Sequence, residues 1–227
     1  MIQATMYNVS NELLDTAISL LPKVDFKLSL NKPTGDFFYD EWQLKDEFKG
    51  TVWEDILNTL PENKGEARII NLDIKTCYTM HSDIDDRWHL ALSSGESYLV
   101  DLDNKQMHQP SLGVWHYMDA GRLHSAVNFS DSERYQLVVR KLLNKNVLLN
   151  PVKVLLSVQD PPANYRYVID KFISPKLNQW NKQNQLSNFK QDTIYSLSFV
   201  LEQDKLEELH ETISNINFKV TVLHEPV

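Results

Sequence analysis

The chain has 227 residues, 42% of them hydrophobic, and carries a net charge of −8 with a pI near 5.3. This length allows a substantial buried core and suits one domain of the sandwich or barrel type, alone or with a small appendage. The acidic balance argues against a nucleic-acid-binding protein, because affinity for phosphate backbones depends largely on clustered Lys and Arg.

The sequence also argues against a secreted or membrane protein. Its single cysteine, Cys77, cannot form an intramolecular disulfide, and the first residues lack the basic and apolar regions of a secretory signal. No apolar stretch approaches the roughly 20 residues that a membrane helix needs. We therefore expect a soluble, cytoplasmic protein, whose oligomeric state the sequence leaves open.

The N-terminal part of the chain predicts helices and loops. Apolar residues recur at helical spacing from Leu13 to Leu21 and end at Pro22. Alternating apolar residues then predict a strand over residues 24–30. Residues 40–60 predict a short helix whose aromatic side chains pack on the domain that follows.

Short strands separated by turn residues dominate the chain from residue 67 to residue 142. This spacing predicts a mainly β domain, either a barrel or a double-sheet jelly roll. A run of consecutive strands without an intervening helix argues against a doubly wound α/β fold. The predicted strands cover residues 67–72, 75–81, 87–93, 97–102, 114–118, 123–128 and 134–142.

The pattern beyond residue 145 predicts a small region in which strands and helices alternate. Pro175 is expected to break or kink a helix over residues 165–183. The chain is therefore predicted to contain a β domain with N-terminal helices over residues 1–145 and a small α/β region over residues 146–227. The other elements predicted in that region are strands over 152–157, 194–201 and 218–223 and a helix over 204–213.

The run His81-Ser82-Asp83 ends one of the predicted strands and is a candidate metal site. Side chains at positions i and i+2 of a strand point to the same face, so the His and the Asp could bind one ion. The same alternation places Cys77 and Thr79 on that face, where their small side chains leave room for a ligand. His124 could supply the third metal ligand. Two imidazoles and one carboxylate on one face of an octahedral ion leave three positions open, as in non-haem Fe(II) oxygenases.

An H-x-D run is a weak signal by itself, and other residues compete for the same roles. His116 is an alternative to His124, although its bulky neighbours are more typical of a packed strand. Asp85 is an alternative to Asp83, but it lies four residues from His81. Polar surroundings predict exposed positions for the remaining histidines, His108, His210 and His224.

Two polar side chains on the next predicted strand also point toward a ligand. Arg87 and His89 share a face of this strand, and both would be costly inside an apolar core without a partner. A bound dicarboxylate would be such a partner. The alternative is that Arg87 pairs with Asp85 or Asp86 at the surface.

Arg134 lies at the start of the last predicted strand of the β domain, after a turn through residues 130–132. This turn brings it alongside the strand of His124, where its planar guanidinium could hold a carboxylate with two hydrogen bonds. Arg140 has the same facing on that strand and is the rival candidate. Arg134 is preferred because it stays near the site end of the strand.

The region from Gly65 to Leu142 resembles the aspartyl/asparaginyl β-hydroxylase-like family of Fe(II)- and 2-oxoglutarate-dependent oxygenases, which includes proline-hydroxylase relatives. The resemblance depends on the order of two candidate ligand histidines, an R-x-H-L strand, and a histidine followed ten residues later by an arginine. These features correspond to the runs His81-Ser82-Asp83, Arg87-Trp88-His89-Leu90 and the segment from His124 to Arg134.

The resemblance implies a double-stranded β-helix, which is a cupin-like jelly roll, for the β domain. It implies that Fe(II) is held by three side chains, those of His81, Asp83 and His124. It also implies that Arg134 binds the distal carboxylate of 2-oxoglutarate, with Arg87 and His89 assisting. The region beyond residue 145 has no recognisable counterpart in the family.

The activity implied is that of an oxidoreductase, an iron-dependent dioxygenase that hydroxylates an amino acid or peptide side chain while 2-oxoglutarate is decarboxylated to succinate. Two other functions stay open: a non-catalytic jelly-roll binding module, and a cupin-type metalloenzyme that does not use 2-oxoglutarate. Substrate contacts would come from loops and the N-terminal segment, with Tyr39, Trp42 and Trp115 as candidates. No nucleic-acid or membrane partner is expected.

Overall fold

The structure, a computed structural model, describes residues 1–61, 63–216 and 219–226. The chain divides into two compact units, one of residues 1–80 and 85–142 and the other of residues 143–227 together with the short segment 81–84. Within the described residues, no helix is both long enough and apolar enough to cross a membrane.

The first unit is built mainly from strands. Its helices are α1 (Asn11–Ser19) and α2 (Val52–Asn58). Its strands are β1 (Ile2–Asn8), β2 (Lys27–Ser29), β3 (Asn31–Pro33), β4 (Trp42–Leu44), β5 (Lys64–Leu72), β6 (Thr76–Cys77), β7 (Arg87–Ala91), β8 (Ser97–Asp101), β9 (Gln106–His108), β10 (Val114–Met118), β11 (His124–Asn128) and β12 (Arg134–Lys141).

Apart from β3 and β4, which pair with each other, these strands form a double-stranded β-helix, which confirms the predicted jelly roll. The larger sheet has the order β1-β10-β7-β12-β5-β2, and the smaller sheet has the order β6-β11-β8-β9. From β5 to β12 the chain passes back and forth between the two sheets, and all of their strand pairs are antiparallel. This path with two facing sheets is that of a jelly roll.

The larger sheet is buried on both of its faces. One face packs on α1 and α2 through large apolar side chains, among them Trp88, Leu90, Trp115, Leu137 and Val139. The opposite face meets the smaller sheet in a second, smaller core made of Leu72, Leu99, Met118, Ala120 and Ala126. Because this inner core contains few large side chains, it leaves room for the inward-facing polar residues described below.

Each strand predicted between residues 67 and 142 is present, although two of the details differ. The strand expected over residues 75–81 is only Thr76–Cys77, and β9 was not predicted. The N-terminal strand β1 was also missed. Its side chains are partly exposed without regular alternation, so the strand is defined by its antiparallel pairing with β10 rather than by its own pattern.

The second unit contains an antiparallel sheet with the order β14-β15-β13-β16. Pro175 is the second residue of a new helix, so the predicted break in the helix over 165–183 is confirmed. Of the predicted last strand, residue Phe218 lies outside the described residues. The elements are β13 (Pro151–Val158), α3 (Tyr165–Phe172), α4 (Ser174–Lys182), β14 (Leu186–Thr193), β15 (Ser196–Glu202), α5 (Leu206–Ser214) and β16 (Val220–Pro226).

Candidate active site

The three side chains expected to bind a metal lie together in the structure. His81, Asp83 and His124 each offer one ligand atom, and these atoms all lie within 4.8 Å of one another. The distance from His81 Nε2 to Asp83 Oδ2 is 3.6 Å. Neighbouring ligands of an octahedral ion are about 3 Å apart when each metal–ligand distance is about 2.1 Å. Small side-chain rotations would therefore bring this group to ligand spacing.

The hydrogen bond of His124 leaves the correct ring nitrogen available for a metal. His124 begins β11 and is buried, and its Nδ1 lies 2.8 Å from the carbonyl oxygen of Arg122. A carbonyl oxygen can only accept a hydrogen bond, so Nδ1 carries the proton and donates it. In the neutral ring, Nε2 then keeps its lone pair. Metal-binding histidines commonly donate their other N–H to a carbonyl or carboxylate in this way.

The pattern expected around His81 is wrong in one respect. Cys77 and Thr79 are exposed, whereas they were expected to line a pocket on the face of His81. Tyr78, which was expected on the opposite face, packs on the inner core. The reason is that β6 ends at Cys77, so strand alternation does not continue to His81. The segment after the strand positions His81 and Asp83.

Arg134 is a buried cation at the start of β12. Its side chain is 3% exposed, and its Nε and Nη2 atoms have no hydrogen-bond partner in the described part of the chain. Burial lowers the pKa of Arg134 to about 10, and the nearby Tyr78 opposes this shift. A buried guanidinium without acceptors is costly, and a carboxylate ligand would supply the acceptors that it lacks.

His89 and Gln136 form a buried polar pair beside this arginine. His89 Nδ1 and Gln136 Oε1 are 3.0 Å apart. Burial is the main cause that lowers the pKa of His89 well below its usual value, and the positive charge of Arg134 acts in the same direction, so the ring is neutral. The Nε2 atoms of both side chains are buried and have no partner among the residues described.

The sheet register places these three side chains on one face. His89 of β7 lies opposite Val138 of β12, and opposite residues of an antiparallel pair share a face. Gln136 and Arg134 lie two and four residues before Val138, so they point the same way. Arg134 also lies opposite Leu72, a residue of the core between the two sheets. The three polar side chains therefore face the interior of the jelly roll.

Arg140 shares this face of β12, but it has partners of its own. It donates to both carboxylate oxygens of Asp85, with 2.9 Å between Nη2 and Oδ1, and it lies 3.8 Å from Glu66. Arg87 is 3.5 Å from the same Asp85 carboxylate. Asp85 is 2% exposed, so the pairing considered for Arg87 exists but is buried rather than at the surface. The assignment of Arg87 to the co-substrate remains a prediction.

The competing metal ligands are engaged elsewhere. His116 packs edge-on against His108, with ring centroids 4.8 Å apart, and is not part of the group that contains His124. His108 is half-buried, so its predicted exposure is wrong, whereas His210 and His224 are exposed as predicted. Burial lowers the pKa of both His108 and His116.

The suggested substrate contacts differ in their surroundings. Trp115 is fully buried on the face of the larger sheet that packs on the helices, where its Nε1 donates to Thr59 at 2.9 Å. This position excludes it from the interior between the two sheets. Tyr39 and Trp42 are half-buried, and their contact with a substrate remains a prediction.

Gln136 and Tyr78 are the site residues that the sequence interpretation missed. Gln136 lies two residues after Arg134, and a polar residue at an inward position of an otherwise apolar strand was the available signal. Tyr78 gave no comparable signal, because its direction depends on where β6 ends. The hydrogen bond of Gln136 raises the pKa of His89, and Tyr78 raises the pKa of Arg134, although burial outweighs both effects.

Comparison with solved structures gives matches of low sequence identity. No family model and no curated protein matches this chain. A viral collagen prolyl hydroxylase from Paramecium Bursaria Chlorella virus-1, in complex with 2OG, is 12% identical and has a TM-score of 0.38, covering 61% of this chain and 94% of the hydroxylase. An oxidoreductase of the 2OG-Fe(II) oxygenase family from Burkholderia pseudomallei is 14% identical and has a TM-score of 0.40, covering 58% and 77%. Similarity at this level does not establish a family, so the function of this chain must be argued from its own residues.

Proposed function

We propose that this protein is an Fe(II)- and 2-oxoglutarate-dependent dioxygenase that hydroxylates an amino acid or peptide side chain. Two observations carry the proposal: the grouping of His81, Asp83 and His124 within 4.8 Å, and the buried, unpaired Nε and Nη2 of Arg134. The first set suits a metal, and the second suits a carboxylate.

The donor set fits Fe(II). Two imidazoles and one carboxylate suit a divalent iron and leave coordination positions for a co-substrate and O₂. His81, Asp83 and His124 would hold the ion, the last through its Nε2. Bound iron together with 2-oxoglutarate and O₂ supplies the oxidation of a C–H bond, with decarboxylation of 2-oxoglutarate to succinate and CO₂.

The protein's own residues would bind and orient the co-substrate. Arg134 offers two unpaired N–H groups, and the planar guanidinium matches a carboxylate with two parallel hydrogen bonds. The Gln136 amide offers a further donor, while the neutral ring of His89 fixes the orientation of that amide. A carboxylate bound here would compensate the buried charge of Arg134, whose Nε and Nη2 have no acceptor among the described residues.

The substrate class rests on the sequence resemblance of residues 65–142. Hydroxylation of an amino acid or peptide side chain is the activity which that resemblance implies. The half-buried Tyr39 and Trp42, in the segment before α2, are the proposed contacts for such a substrate.

Anaerobic metal loading followed by a 2-oxoglutarate turnover assay tests the proposal. We expect about one Fe(II) per chain and formation of succinate from 2-oxoglutarate when O₂ is admitted. Failure to bind metal and to form succinate would favour a non-catalytic jelly-roll module. Metal binding without 2-oxoglutarate consumption, and with no effect of 2-oxoglutarate on the metal's spectrum, would favour a cupin-type enzyme of another kind.

A further inference from the structure

The segment that carries two of the proposed metal ligands, residues 81–84, belongs to the second unit. It forms no regular strand, so it lacks the repeated backbone hydrogen bonds that fix β7 or β11. Its contacts with α3 and α4 replace these bonds. This observation points to a role for a region that has no counterpart in the family resembled.

Ser82 makes the first of these contacts. It is 1% exposed, and its hydroxyl donates to the backbone carbonyl of Asp170 in α3. The last four carbonyl groups of a helix have no intrahelical partner, and α3 ends at Phe172. Ser82 therefore donates to a carbonyl in the last turn of the helix. The hydrogen bond benefits both the helix end and the segment.

Asn178 makes the second contact. It is 4% exposed in α4, and its Nδ2 donates to the carbonyl oxygen of Ile84 at 2.8 Å. Burial alternates along this segment. Ser82 and Ile84 are buried, whereas the side chains of His81 and Asp83 are 29% and 15% exposed. The anchoring residues and the proposed ligands thus alternate along the segment.

The two helices are themselves firmly held. Val168 of α3 is 7% exposed, and Leu177 and Trp180 of α4 are each 1% exposed, so both helices are held by packing. Asp170 is tied to Arg166 one turn earlier by a 3.0 Å hydrogen bond between Oδ2 and Nε. Sites are held most accurately when their ligands are supported by rigid elements.

We propose that Ser82 and Asn178 are positioning residues, through which α3 and α4 fix the spacing of the metal ligands His81 and Asp83. The inference rests on the function proposed above. Loss of either hydrogen bond should allow the segment more conformations, so that binding a metal has to order it again. Hydrogen bonds of this supporting kind typically change metal affinity by about 10- to 100-fold.

Mn(II) binding, followed by electron paramagnetic resonance of the free ion, tests the inference without relying on activity. We expect Ser82→Ala and Asn178→Ala each to weaken Mn(II) binding by about 10-fold or more. The conservative Ser82→Thr, which keeps the hydroxyl, should recover part of the lost affinity. Thermal unfolding by circular dichroism, measured in parallel, identifies any variant that loses its fold.

Asn146→Ala is the matched control. Asn146 belongs to the same unit and donates to the carbonyl groups of Asn181 and Leu186, away from residues 81–84. It should lower the thermal stability of the protein but leave Mn(II) affinity unchanged. Wild-type Mn(II) affinity in both folded test variants would overturn the inference but not the metal centre. An equal loss of Mn(II) affinity in Asn146→Ala would have the same consequence. Absence of Mn(II) binding by the wild-type chain would overturn the metal centre itself, and the inference with it.

Discussion

Arg140 donates to both carboxylate oxygens of Asp85, and this buried ion pair separates the roles of two arginines on one face of β12. Arg134 shares that face, yet its Nε and Nη2 have no acceptor among the described residues. Asp85 and Glu66 already compensate the charge of Arg140, whereas a ligand would compensate that of Arg134. The two arginines therefore make different predictions.

Arg134→Ala should raise the apparent KM for 2-oxoglutarate by about 10- to 100-fold. A hydrogen bond to a charged group contributes about 1.5–3 kcal/mol, and each 1.4 kcal/mol corresponds to a factor of about ten. Steady-state kinetics with varied 2-oxoglutarate measures the effect. An unchanged KM would show that Arg134 does not bind 2-oxoglutarate.

Arg140→Ala is the matched change on the same strand, with the opposite expectation. It removes the closer cation from the buried Asp85 and leaves Arg87 beside that carboxylate, at 3.5 Å. Breaking a buried ion pair costs about 3–5 kcal/mol of unfolding free energy. Urea unfolding should show this loss, while the KM for 2-oxoglutarate stays near the wild-type value. A large rise in KM without loss of stability would reverse the assignment of the two arginines.

Replacement of His81, Asp83 or His124 by Ala should in each case abolish metal-dependent turnover and weaken Fe(II) binding by more than about 100-fold. The expected loss exceeds the 10- to 100-fold that follows removal of a residue supporting a ligand. Anaerobic titration with Fe(II) or Co(II) measures the affinity, and circular dichroism checks that the β fold is retained. Normal turnover in a folded variant would remove that residue from the metal centre.

Gln136 provides a further test, which follows from its position beside His89. Gln136→Leu removes the amide donor and should raise the KM for 2-oxoglutarate by about 10-fold or more, since a hydrogen bond to a charged carboxylate contributes about 1.5–3 kcal/mol. Gln136→Glu should have a larger effect, because it places a second carboxylate where a carboxylate is expected to bind. Equal KM values for the two variants and the wild type would place the co-substrate elsewhere.

The stability of the protein should fall in mild acid. Burial lowers the pKa of His89, His108 and His116, whereas unfolded imidazoles titrate near 6.5. Below about pH 6.5 the unfolded chain therefore binds more protons than the folded chain, and unfolding becomes easier as the pH falls toward the folded-state pKa values. Each group contributes at most about 1.4 kcal/mol per pH unit. Urea unfolding at a series of pH values from neutral to mildly acidic measures this dependence.

His116→Gln should reduce the acid sensitivity, because it removes one of these buried imidazoles. His210→Gln serves as the control, since it removes a histidine from an exposed position. If His116→Gln and the wild type lose the same unfolding free energy across that pH series, the buried imidazole of His116 is not responsible for the effect.

Local signals in the sequence were sufficient to predict the β architecture and to name the candidate ligands. Strand alternation and turn residues involve only neighbouring positions, so they located the strands from β5 to β12 apart from the short β9. The strand β1 was missed because it is an edge strand, whose pattern is irregular and whose partner β10 lies more than one hundred residues away. The motif around His81 could be recognised because its residues are adjacent in the chain.

Only the tertiary structure shows which charged side chains have partners, because those partners lie on elements distant in the sequence. Arg134 and Arg140 have the same facing in the sequence pattern, and their difference depends on Asp85, which is 55 residues from Arg140. The support of residues 81–84 by α3 and α4 involves contacts across 88 and 94 residues. Such pairings follow from the packing of distant elements, and a local pattern of residue types contains no information about them.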